Sequence, residues 1–167
     1  MVNYIDLDTA KQDLSDWIIN FLDVPQKNLN DIAPCPFAKA ALINNKIKFV
    51  AGSNSVVQDM LQLNAQWDSE YEGVVLIYPN DVDAEKFVTS VAEVNEKYYR
   101  HSGLLALEDH PQIPETIAGL NFNNHKYAIV IVQRAEKLSK ASEILSKRGY
   151  YKNWTQQDID NVVGWRW

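Results

Sequence analysis

The chain has 167 residues, 46% of them hydrophobic and 23% charged, with a formal net charge of −6. That length and balance suit one domain with a sizeable core and are wrong for a disordered chain. The surplus of acids argues against a general nucleic-acid binder, which needs a basic face to neutralise phosphates.

Near the N-terminus, Asp8 or Thr9 is placed to cap a helix. Leu14, Trp17, Ile18, Phe21 and Leu22 follow at the spacing of one helical face. Two prolines and several turn formers in "DVPQKNLNDIAP" make the next stretch a loop. "PFAKAALIN" predicts a short helix with Pro36 at its first position, where a missing N–H costs nothing. "KIKFVA" alternates like a half-buried strand. Ser53 or Asn54 then opens a helix carrying Val56, Val57, Met60 and Leu61. The continuous run "GVVLIYP" predicts a central strand covered on both faces.

"NDVDAEKF" places acids at the start of a helix whose apolar stripe is Ala84, Phe87, Val88, Val91 and Tyr98. "GLLALEDHP" reads as a strand ending at Asp109, His110 and Pro111, and "QIPETIAGLNFNNH" as a long loop. Lys126 to Arg134, "KYAIVIVQR", is the clearest strand. A helix with Leu138, Ala141 and Leu145 ends near Gly149. Thr155 and Asp158 have capping-box spacing for a last short helix. Strands alternating with helices predict an α/β (or α+β) domain over residues 1–167. Its core is a single mixed sheet of about four strands flanked by helices, the last two strands pairing antiparallel. Residues 150–167 form an aromatic C-terminal tail.

The segments "CPFAKAAL" and "KIKFVA" resemble a bacterial family catalogued as domain of unknown function 1415. "VVLIYPNDVDAEKFV", "LLALEDHPQIPETIAG" and "YAIVIVQRAEKLSKA" are similar to its later strands, in the same order, over roughly Pro34 to Leu145. Four positions carry over: Cys35, Lys39, His110 and Arg134 match Cys, Lys, His and Arg of that family. "QIPET" departs from the more aromatic segment that follows its His-Pro, and the tail has no counterpart there. The resemblance implies a frame for a site and no particular reaction.

Cys35 is the only cysteine, so an internal disulfide and a two-cysteine redox cycle are excluded. At a helix start its thiolate is favoured by the dipole and by free N–H groups, with Lys39 one turn on. The competing reading is a structural thiol that packs the helix onto the sheet. His110 sits at a strand end, where sites in α/β sheets gather, and is the candidate general base. The competing reading is a loop His made rigid by Pro111, with Glu108 and Asp109 solvated. Lys39 and Arg134 are the candidate anion-binding groups. Cys35, Asp109, His110 and His125 lack the paired spacing of a zinc site, so no metal site is assigned, and no cofactor motif is present.

Trp154, Trp165 and Trp167, with Tyr150 and Tyr151, either fold back onto the domain or form an oligomer or partner contact. Arg166, between two of these Trp residues, is expected to join them by cation–π stacking. The leading expectation is a thiol-dependent enzyme, Cys35 with His110, acting on a small molecule or peptide. The alternative is a non-catalytic binding or assembly module that works through the tail. The acidic N-terminus lacks the pattern of a signal peptide, and the longest apolar run is too short to span a bilayer. A cytoplasmic location without membrane contact is expected.

Overall fold

The computed structural model describes residues 4–167. Strands β1 (Ile47–Ala51), β2 (Gly73–Tyr78), β3 (Leu104–Asp109) and β6 (Ala128–Arg134) form one mixed sheet in the order β1-β2-β6-β3. β4 (Thr116–Ile117) and β5 (Leu120–Asn121) form a separate hairpin. The helices are α1 (Leu7–Trp17), α2 (Ala38–Ile43), α3 (Val56–Ala65), α4 (Ala84–Val94), α5 (Arg100–Ser102), α6 (Ala135–Lys147) and α7 (Gln156–Val162). The protein is thus an α/β protein whose mixed four-stranded sheet is flanked by helices, as the alternation of elements predicts.

β2 is buried along its whole length, matching its unbroken apolar run. β1 pairs with it in parallel, Ile47 opposite Gly73 and Ala51 opposite Ile77. β6 pairs antiparallel with β2 on one side and with β3 on the other. The period of two then sorts side chains to opposite faces. On one face Val74, Leu76, Ala106 and Val130 meet Met60 of α3 and Phe87, Val91 and Val94 of α4. On the other, Val75, Ile77 and Ile129 meet Ala10 and Leu14 of α1 and the following Ile18 and Leu22. A third cluster joins Leu29 and Ile32 to Leu145 and Tyr150, tying the first loop to the end of α6.

Local chemistry sets the ends of the helices. Asp6, rather than Asp8 or Thr9, caps α1. Its carboxylate accepts the Thr9 backbone N–H at 3.3 Å and the Thr9 hydroxyl at 2.9 Å. Ser55, rather than Ser53 or Asn54, caps α3 by accepting the Gln58 N–H at 3.2 Å. Thr155 and Asp158 form the predicted capping box of α7. α6 ends before Gly149, which takes the left-handed φ of 82° suited to glycine.

Two predictions from periodicity are corrected. The loop after β3 holds the hairpin β4–β5, turned by Ala118 and Gly119, both at positive φ. The second correction concerns the stripe of α4. A π turn, Asn95–Tyr99, follows α4, and its wider winding shifts the phase by one residue. Tyr99 is therefore fully buried, donating its hydroxyl to the Met60 carbonyl at 2.8 Å, while Tyr98 is 45% exposed. The same turn brings Asn95 to the outer edge of β3. There its Nδ2 donates to the Ala106 carbonyl at 2.8 Å and its Oδ1 accepts the Ala106 N–H at 2.9 Å. One side chain thus satisfies both outward backbone groups of an edge residue. Among the described residues, no helix is long and apolar enough to cross a membrane.

Asn95→Ala leaves both Ala106 groups buried and unpaired. It is expected to lower stability by about 2 kcal/mol or more, read as a fall in the urea midpoint. An unchanged midpoint would show that the edge does not depend on Asn95.

Candidate functional site

α6 leaves β6 at Arg134 and runs back beside the sheet without closing onto it. Between them lies a cavity of about 770 Å³. Its floor is Leu107 of β3 and Ile131 and Gln133 of β6, and its roof is Leu138, Ala141 and Leu145 of α6. β6 is an interior strand, yet Ile131 is only half-buried: it packs against the cluster that holds Ala10 and Leu14 and also lines the cavity. One end of the cavity is aromatic, formed by Trp17, Phe122, Tyr150, Tyr151 and Trp154. The Tyr151 and Trp154 rings meet edge to face with centroids 4.8 Å apart. The C-terminal tail supplies the remaining wall through Val162, Trp165, Arg166 and Trp167.

Five side-chain N–H groups among the described residues are buried without a hydrogen-bond partner. Four of them, the indole N–H groups of Trp17, Trp154 and Trp167 and Arg166 Nε, belong to residues that line this cavity. Leaving such a group unpaired costs about 1–3 kcal/mol, and these atoms are closed off from the cavity space as well as from solvent.

The polar end holds Glu108, Asp109 and Glu115. Asp109 is fully engaged. Its carboxylate accepts Asn123 Nδ2 at 2.6 Å, the Asn124 N–H at 2.8 Å and Asn124 Nδ2 at 2.6 Å. It is 6% exposed and organises the turn before β6, which corrects the reading of it as a solvated acid. The side chains of Glu108 and Glu115 enter no ion pair among the described residues. Burial pushes the Glu115 carboxyl up to about 7, with further repulsion from Asp109 and Glu108 and a small opposing pull from Arg166. Burial also raises Glu108, opposed by a hydrogen bond from its own backbone N–H and reinforced by the charge of Asp109. Burial lowers the Arg166 guanidinium, which Tyr151, Tyr150 and Glu115 partly offset.

The four residues singled out by their sequence context do not converge. α2 begins at Ala38 rather than at Pro36, so Cys35 stands in the turn before it. Cys35 lines the large cavity, and its backbone N–H donates to the Leu22 carbonyl at 2.8 Å. Burial raises its thiol, opposed by hydrogen bonds from the Phe37 and Ala38 N–H groups. His110 is 1% exposed and lines a smaller neighbouring cavity of about 240 Å³, not the one that holds Cys35. Both its ring nitrogens are engaged. Nε2 donates to the Val82 carbonyl at 2.8 Å, and Nδ1 accepts the Gln112 N–H at 3.1 Å. These partners select the neutral ring with its proton on Nε2. The ring packs edge to face on Phe87 at 5.6 Å. Lys39 pairs with Asp23 at 3.1 Å, and Arg134 is exposed where α6 begins; neither lines the large cavity.

The tail folds back along the domain. Asp158 accepts the Ala118 N–H at 3.2 Å and so fixes α7 to the hairpin. Trp154 packs into the third cluster and Trp167 against the α3–α4 cluster, while Trp165 remains 38% exposed. The cation stacked on Trp167 is Arg100, 5.6 Å from the ring centre, in place of the expected Arg166. Among the described residues, no group of three His, Cys, Asp or Glu side chains is arranged to hold a metal.

Glu108, Glu115 and the half-buried Ile131 carry no mark in the sequence that separates them from solvated acids and core aliphatics. Their significance comes from burial. Fold and cavity together define an α/β protein with a ligand-sized chamber between its sheet and its last long helix. The chain matches no protein-family model, no curated protein and no solved structure.

Two predictions follow from these environments. Cys35 is expected to react with iodoacetamide at pH 8 at least tenfold more slowly than free cysteine, because burial disfavours its thiolate; a rate at or above that of free cysteine would contradict its assignment as a wall residue. For Glu115, the folded carboxyl holds a proton up to about pH 7, whereas its ordinary value is 4.5. Folded protein binds more protons than unfolded across that window, so this residue makes stability fall as pH rises through it. Glu115→Gln should therefore raise the melting temperature relative to wild type at pH 8 and leave it unchanged at pH 4. Equal differences at both pH values would rule this out.

Proposed function

We propose that this protein binds a small molecule in the chamber between β3–β6 and α6, with the C-terminal tail as one wall. The observation that carries the reading is the cavity itself, about 770 Å³ between α6 and an interior strand whose Ile131 is only half-buried. Small-molecule sites commonly enclose about 300–1,000 Å³ and combine apolar walls with a few convergent polar groups. Exposed aliphatic surface in such a space is unfavourable by roughly 25 cal/mol per Å², and an occupant of matching shape recovers that energy.

Cys35 serves here as part of the wall. Its burial-raised thiol and the engaged ring of His110 favour this over a Cys–His catalytic pair. The tail serves the site, because Trp154 and Trp167 are spent on the protein's own clusters.

A neutral, polarity-sensitive dye such as Nile red is expected to bind with one-to-one saturation and a blue-shifted emission. Ala141→Trp places an indole in the middle of the chamber and should weaken that binding at least tenfold while the far-ultraviolet circular dichroism is unchanged. Undiminished dye binding by a folded Ala141→Trp variant would rule out the chamber as the site.

A further inference from the structure

The charge of the polar end narrows the ligand, provided the chamber is a binding site as proposed above. We infer that the natural occupant is an organic cation: an amine or guanidine group on an apolar or aromatic body, its charge seated beside Glu108 and Glu115 and its body along Leu107 and Ile131.

Three observations converge on this class. First, the inner acids outnumber the inner cations. Glu108, Asp109 and Glu115 line the polar end, where the tail supplies Arg166 alone. The other lining charges, Glu72, Glu96 and Lys137, are exposed at the rim. Second, the two glutamates lack a salt-bridge partner, although the Glu108 carboxylate accepts from its own backbone N–H. Asp109 is satisfied by Asn123 and Asn124, but Glu108 and Glu115 form no ion pair among the described residues. Both are partly buried, and a partly desolvated carboxylate gains from an opposite charge placed beside it. Third, the walls that continue from them are aromatic, and ring faces attract desolvated cations. An anionic ligand would meet the opposite arrangement.

Arg166 fits the same scheme as an internal substitute. It sits between Trp165 and Trp167 on the tail, within electrostatic reach of Glu115, Tyr150 and Tyr151. Yet its Nε is buried without a partner among the described residues, and no ion pair joins it to either glutamate. The tail thus holds a positive charge close to the carboxylates without satisfying them. A mobile cation with freedom to approach more closely competes with it.

The test compares three probes of one shape and different charge on the full chain by titration calorimetry: 4-phenylbutylamine, 4-phenylbutan-1-ol and 4-phenylbutyrate. The amine is expected to bind at least tenfold more tightly than the alcohol, and the butyrate more weakly than either. Glu115→Gln should weaken the amine about tenfold, the size of one partly desolvated charge contact, and leave the alcohol unchanged. Arg166→Gln should tighten the amine by removing its competitor. Equal or tighter binding of the alcohol or the butyrate overturns the cationic class and leaves the chamber standing as a site. Amine binding that persists in Ala141→Trp, or that is indifferent to Glu115→Gln, overturns it as well. Failure of all three probes to bind overturns this inference and the chamber reading together.

Discussion

Much of this structure depends on one pairing. β6 enters between β2 and β3, and its backbone groups are satisfied on both sides by antiparallel ladders running from Gly73–Gln133 to Tyr78–Ala128 and from Leu104–Arg134 to Asp109–Ile129. The insertion makes β3 an edge strand, and an edge must be sealed. Asn95 seals it at Ala106 by swinging inward on a π turn, and the C-terminal tail runs along the same side. The insertion also fixes where α6 starts. A helix leaving the end of β6 at Arg134 has to return across the face that α1 already half covers, and it stands off the remainder. The chamber is the space left by that geometry.

The polar end of the chamber follows from the same register. β3 and β6 are antiparallel and β3 ends beside the start of β6, so Asp109 lies against the turn that leads into β6. Its carboxylate holds that turn through Asn123 and Asn124. Glu115 enters the loop between them through its own backbone N–H, which donates to Asn123 Oδ1 at 2.8 Å. One buried carboxylate thus does structural work, and its charge adds to the burial that raises the two beside it. The result is a group of acids that differ in role although they lie within eight residues of sequence: Asp109 is paired, whereas Glu108 and Glu115 are available.

Individual residues show how far the sequence could be read. Phe87 and Val91 face the core as the spacing of α4 requires, but Tyr98 and Tyr99 exchange places. A π turn adds one residue to the winding, and no local pattern announces it. The box of Thr155 and Asp158 was legible because both partners lie within one turn. Pro36 misplaced the start of α2 by two residues, since proline suits both a first helical position and the turn before it. His110 drew attention by its place at a strand end. That place instead gives both its nitrogens backbone partners, from Val82 and from Gln112.

The sequence by itself determined the long helices, the four strands of the mixed sheet and most of their apolar faces, because period and capping act over a few neighbouring residues. It also singled out Cys35 and the aromatic tail, which composition alone makes conspicuous. Only the tertiary structure decided that Cys35 and His110 line different cavities, that a cavity separates Ile131 from α6, and that Glu115 is partly buried beside Glu108 and Asp109. Each of these depends on the separation of surfaces that are far apart in the chain. Burial, which governs both the reach of a charge and the space for a ligand, exists only once those surfaces have met.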